Sequence, residues 1–456
     1  MADRQDEPDD RSPEDEFREM LREMLSGGGG IDPSSLVGAA GLPNDPASLA
    51  ALFSQLQQAM NKADDGIDWS VAVKQGEERA ASGQRQVEGE ERARFDQAFQ
   101  VASLWLDEAV DFGALPTTPE LMTRRAWVAA TMPIWSQLAE PVALSISDAL
   151  TRVMSEQAPE EMRSMIEGAS RMMRGIGGAL FAMQLGQVVG QLATEVVSGG
   201  DIGIPLLDDG RAAILPQNAA EFGNDLDIPT DQIELYLAVR ELAHARLFRH
   251  ARWLRLHLIT AITAFARGID IDTDRLEELA EGFDPSNTEE LRNAVVNGAL
   301  IRAKSESQQA ALARLETMLA LVEGWVDAAT ADATARLPKS VAIAETIRRR
   351  RASGGPAESA FATLVGLELR PRRLREATAM WRAVADAVGV EARDALWSHP
   401  DLLPTAEDLD DPADLIARLT GTESTEADDE FDQALEQLLR GETPAAPGED
   451  GEEPTS

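Results

Sequence analysis

In only one place do apolar residues alternate with small or polar ones at the two-residue period of a β-strand. Ile202, Ile204 and Leu206 carry the alternation, Asp209–Gly210 supplies a turn, and Ala212 to Leu215 can return as a second strand. Elsewhere the apolar residues recur at helical spacing, as in Leu312, Leu315, Leu319, Val322 and Val326. The expected fold class is therefore mainly α with a small β hairpin or sheet. An aromatic share of 5% and abundant alanine favour helices over strands in the same way.

The same pattern predicts helices at about 90–112, 118–132, 134–157, 306–335, 339–351, 357–368 and 371–388, with shorter ones at 273–281 and 288–300. Pro133 and Pro141 are expected to mark kinks or boundaries. Before these, a short helix is expected around Phe17 to Leu25, and Leu49, Leu52, Phe53 and Leu56 share one helical face. The apolar run Ile176 to Val197 is broken at near-helical intervals by Gln184, Gln187, Gln191 and Glu195, so it reads as a buried helix. Within it Gly186 and Gly190 would let another helix approach closely.

Composition removes several function classes. With no cysteine, disulfides, thiolate catalysis and cysteine metal sites are excluded. A formal net charge of −38 disfavours binding to nucleic acid or an anionic membrane. The first ten residues are acidic and lack a signal-peptide pattern, so a cytoplasmic location is expected. The basic runs Arg348 to Arg351 and Arg370, Arg372, Arg373 and Arg375 read as coats on helix ends, or as grips for an acidic partner. Phosphate-cradle and nucleophile-elbow motifs are absent.

Asp231 and Glu234 have capping-box spacing for a long helix from about 231 to 265, which either continues or breaks near His250. On this helix Leu237, Glu241, His244 and Phe248 share one face, which puts a carboxylate and an imidazole within an apolar stripe. One account is a Glu–His or Glu–Arg pair at the helix edge. Another is H-E-x-x-H chemistry, in which two histidines one turn apart hold zinc and the Glu is general base on the bound water. This chain has R-E-x-x-H: Glu241 at the base position, His244 at the second ligand position and Arg240 at the first. A guanidinium has no lone pair to give a metal. Arg240 is then expected to act as an internal cation, paired with Glu241 or Glu323.

The segment Leu235 to His250, Trp253–Leu254, Leu321 to Asp327, Phe361 to Arg373 and Ala395 to Pro404 resemble the actinobacterial zincin-like metallopeptidases, a family also described as hydrolases. The resemblance runs from about 30 to 420. It implies a zincin-like fold, with a helical region (34–200) followed by a zincin-like region (201–420); the acidic composition of the ends makes 1–33 and 421–456 disordered tails by expectation. It also implies a zinc-dependent metallopeptidase acting on a peptide, with Glu241 catalytic and His244 and Glu323 as zinc ligands. Two ligand positions are replaced, by Arg240 and by Trp325 where a later histidine would fall. The alternative is a catalytically inactive relative that binds a peptide or protein partner. His250 is a further candidate ligand, while His257 and His399 are expected at the surface or in packing.

Overall fold

A computed structural model describes residues 66–156, 163–207, 210–224, 226–269, 304–353 and 373–421. Both tails, the expected helices before residue 66, and those at 273–281, 288–300 and 357–368 lie outside the described residues.

The described chain is mainly helical. Helices α1 (Ser70–Ala81), α2 (Gly89–Asp107), α3 (Arg124–Glu156) and α4 (Arg163–Leu192) form the first part. After α5 (Pro216–Gly223) come α6 (Thr230–His250), which carries the R-E-x-x-H motif, and α7 (Trp253–Ala266). Then follow α8 (Glu306–Ala333), α9 (Ser340–Ser353), α10 (Leu374–Ala395), α11 (Ala406–Asp410) and α12 (Pro412–Thr420). Capping sets several starts: Ser305 accepts from Gln308 N–H at the head of α8, and Glu88 with Glu91 closes a capping box at α2. Asp231 near the start of α6 and Arg249 and His250 near its end complement the helix dipole.

Two expectations need correction. The prolines do not end a helix, since α3 runs through both Pro133 and Pro141. Each removes a backbone bond, at about 3 kcal/mol in a free helix. The buried stripe Trp127, Val128, Trp135, Leu138 and Val142 holds the helix on course. Asp231 and Glu234 do not form a capping box either: the N-cap is Pro229, and Glu234 instead pairs with Arg94 of α2 at 3.0 Å. Of the two courses open to the motif helix, the structure takes the break near His250. Ala251 leaves helical geometry at φ −89°, ψ 61°, and Trp253 then donates from its indole to the Trp397 carbonyl at 3.0 Å.

The β element is also smaller and differently paired than expected. Strand β1 (Glu120–Leu121) lies parallel to β2 (Ala213–Ile214), with Glu120 opposite Ala213 and Leu121 opposite Ile214. On the other side of β2, Gly199 N–H donates to Ala213 O at 2.8 Å and Leu215 N–H to Val197 O at 2.9 Å, in antiparallel sense. So Ala212–Leu215 does fold back, but onto Val197–Gly199 rather than onto Ile202–Leu206. Glycines at 199, 200 and 203 divert the intervening chain towards α6 and α8 instead of extending it as a strand. Asp209, at the expected turn, is outside the described residues.

Helix α4 behaves as expected of a buried helix. Among the described residues, no helix is long and apolar enough to cross a membrane. It packs on α1 through its glycines: a Cβ on Gly186 would lie 2.4 Å from the Ala72 carbonyl oxygen, and one on Gly190 2.6 Å from that of Gly76. Gly186→Ala should therefore lower the unfolding free energy by about 1–3 kcal/mol through forced separation of α1 and α4. Urea unfolding of the variant measures this directly.

Candidate functional site

Helix α6 is buried on all sides over most of its length, from Ile233 to Leu247. A helix so placed must be apolar or must find a partner for every polar side chain it carries. Its polar residues Arg240, Glu241, His244 and Arg246 are each at most 3% exposed, so their partners define the site.

Arg240 and His244 stand one turn apart and both turn to Glu323 of α8. Arg240 Nη2 donates to Glu323 Oε2, and His244 Nε2 lies 3.0 Å from Glu323 Oε1. A second guanidinium reaches the same carboxylate: Arg351 Nη2 of α9 is 3.1 Å from Glu323 Oε1. Arg351 also extends to Asp201 at 3.6 Å. Glu323 and His244 are fully buried, and Glu323 thus has three positive or proton-bearing neighbours away from bulk solvent.

Burial alone would raise the Glu323 pKa. Arg351, Arg240 and His244 outweigh it and hold the carboxyl well below the ordinary carboxylate range. His244 moves down, because burial disfavours its charged form more than Glu323 favours it. A neutral ring carries one proton. Placed on Nε2 it makes a charge-assisted bond to Glu323, leaving Nδ1 3.1 Å from the Arg240 carbonyl.

Glu241 faces the other way, into the mini-sheet. Its Oε1 accepts from Ala213 N–H at 2.8 Å and its Oε2 from Gly200 N–H at 2.9 Å. Burial pushes its pKa up to about 7, against the pull of Ser198 and those two N–H groups. Beside it lies a cleft of about 20 Å³, lined in part by Gly199, Leu207, Glu241 and Phe248 and large enough for about one water molecule.

The glycine segment between Ser198 and Gly203 roofs both halves of the site. A Cβ on Gly200 would meet the His244 Cβ at 2.5 Å, and one on Gly203 would meet Glu323 Oε1 at 2.6 Å. Gly203 also has φ +80°, a conformation that glycine adopts without strain. Only glycine lets the backbone lie this close to the imidazole and the carboxylate.

Of the residues singled out in the sequence, Arg240, His244 and Glu323 come together and Glu241 adjoins them. Trp325 does not join them. Two residues along α8 from Glu323, it points to the opposite face, where its indole donates to Asp394 at 2.8 Å and its ring lies 5.0 Å from that of Phe112. His250 stacks on Phe112 at 4.3 Å, away from the site. His257 meets the edge of Trp253, and His399 is exposed beside Asp401. Arg351 and Asp201 are the site residues that the sequence did not single out. Arg351 lies in a basic run read as a surface coat. A usable signal is the match between Arg348 and Arg351, three apart on α9, and Asp327 and Glu323, four apart on α8.

The ionisation of Glu241 sets a pH dependence with a definite sign. Its folded pKa of about 7 lies above the ordinary 4.5, so the folded state binds more protons between those values and stability falls as pH rises through that window. The shift corresponds to about 3 kcal/mol. Glu241→Gln should flatten the fall, and urea unfolding at pH 5 and pH 8 for both proteins measures it.

A sequence model of the family described as "Zincin-like metallopeptidase" matches residues 67–416, most of the chain. Among solved structures, one from Chloroflexus aurantiacus, described as "a putative hydrolase with a novel fold", superposes with a TM-score of 0.53 at 19% identity. The match covers 78% of this chain and 99% of that one, and at that identity it speaks for the fold alone. No curated protein matches the chain.

Proposed function

This chain belongs to the zincin-like metallopeptidase family, and from that premise we propose that it uses the fold to bind a peptide or protein partner, with internal guanidinium groups standing where the family's zinc would sit. The observation that carries the reading is the double capture of Glu323 by Arg240 and Arg351.

The donors at this seat do not fit a zinc ion. Zinc in a catalytic site takes three lone-pair donors from the protein and one water. Here the first ligand position holds Arg240, whose side chain offers only donors. The other two candidates, His244 and Glu323, are engaged with each other, His244 Nε2 lying 3.0 Å from Glu323 Oε1. Among the described residues, no three His, Asp or Glu side chains gather closely enough to hold a metal. A cation arriving at Glu323 would have to displace two guanidiniums that are already there.

Without a metal to polarise water, Glu241 has no activated nucleophile to serve. Its two oxygens are engaged by Gly200 and Ala213, so in this reading it anchors the glycine segment and β2 to the motif helix. The net charge of −38 favours a peptide or protein partner over nucleic acid or an anionic membrane. A cytoplasmic setting belongs to the proposal and rests on the cysteine-free, acidic composition.

Purified untagged protein, briefly chelated and then supplied with zinc, should retain no stoichiometric metal by mass spectrometry and should leave a peptide library uncut. Partner capture by Glu241→Gln should match that of the unaltered chain. One zinc per chain that is lost in His244→Ala, together with hydrolysis lost in Glu241→Gln, would restore the peptidase reading.

A further inference from the structure

The buried pair His244–Glu323 is closed off by two separate covers that meet along one seam. One cover is the glycine segment, which lays Gly200 against His244 and Gly203 against Glu323. The other is helix α9, which sends Arg351 to Glu323 Oε1. Arg351 is also the group that joins the covers, because its Nη1 lies 3.6 Å from Asp201 Oδ1 in the glycine segment. Asp201 is held in place at its other oxygen, which accepts from Val197 N–H at 2.9 Å.

Exposure falls steeply across this seam. The side chains of Arg351 and Asp201 are 12% and 14% exposed, while those of His244 and Glu323 are at 0%. The ion pair is therefore the outermost layer over the buried pair. Helix α9 itself rests on a short apolar footing of Ile343, Ala344 and Ile347, with Val341 79% exposed on its other side. Two ion pairs, Arg348 to Asp327 and Arg351 to Glu323, add to its attachment to α8.

We infer that the Arg351–Asp201 ion pair is a latch: it holds helix α9 and the glycine segment together over the His244–Glu323 pair, and its release opens that pair to solvent. The latch does not depend on whether a metal is ever bound, so it stands apart from the proposed binding function. Elements held by few apolar contacts and a partly exposed ion pair are the ones that open locally without global unfolding. The remaining partners of Glu323 on α6 stay in place when the latch opens, so the core is not lost with it.

The test is site-resolved modification of histidine by diethyl pyrocarbonate on the full chain, read by mass spectrometry. His399, 61% exposed at its side chain, serves as the internal reference. In the unaltered protein His244 should resist modification. In R351A and in D201N its rate relative to His399 should rise about two- to fivefold, the scale set by loss of a partly exposed ion pair. R349A removes an exposed arginine of the same helix that pairs with Glu345, and should leave the His244 rate unchanged. Melting temperatures recorded alongside separate local opening from loss of the fold. Unchanged His244 labelling in both R351A and D201N overturns the latch, as does an equal rise in R349A or a rise that merely tracks a fall in melting temperature.

Discussion

The carboxylate of Glu323 is the group around which the central helices are arranged. A fully buried ionised carboxylate costs several kcal/mol unless it is paired and hydrogen-bonded. Its three partners come from two helices, with Arg240 and His244 on α6 and Arg351 on α9, so satisfying one side chain on α8 fixes the placement of both. The same demand brings the glycine segment close, since nothing larger than glycine fits against His244 and Glu323. Position, burial and charge are thus coupled at one point in the core.

Other buried polar groups repeat the pattern and tie the outer helices to this centre. Asp327, one turn beyond Glu323 on α8, accepts from Arg348 of α9 and from Thr378 of α10. Asp394 accepts from Trp325 and Arg393 and also from the Asp111 backbone, joining α10 to α8 and to the segment after α2. Arg246, on the far side of α6 from the seat, donates to the Phe112 carbonyl and to Ser103. A motif helix so deeply buried is possible because its charged side chains meet an opposite charge or a hydrogen-bond partner, backbone N–H donors in the case of Glu241. In the proposed reading, this network sets fixed guanidinium cations at the seat that a zinc ion would otherwise take.

Much of this was legible in the sequence, and the gaps have physical causes. Helix α8 followed from its apolar stripe because periodicity is a local property. The glycine pair of α4 announced close packing because only small residues permit it. The R-E-x-x-H spacing placed Arg240, Glu241 and His244 on one helix and raised the prospect of an Arg240–Glu323 pair, which the structure contains. What failed was non-local. Pro133 and Pro141 are accommodated because the buried tryptophans of α3 outweigh two lost backbone bonds. Ala212–Leu215 pairs with Val197–Gly199 and with β1, and no local alternation encodes a strand partner ninety residues away. Arg351 reads as one of four like charges in a row, and only the packing of α9 on α8 distinguishes it from its neighbours.

The central claim is that Arg240 and Glu323 form a buried pair whose members each need the other. A double-mutant cycle of Arg240→Met and Glu323→Gln, followed by urea unfolding, tests it most directly. Arg240→Met alone should cost about 3 kcal/mol, because Glu323 keeps its charge and loses a cation. The double variant should recover much of that loss, giving a coupling of about 2 kcal/mol. Additive effects, with a coupling below about 0.5 kcal/mol, would contradict the account and leave Arg240 as an incidental neighbour of the carboxylate.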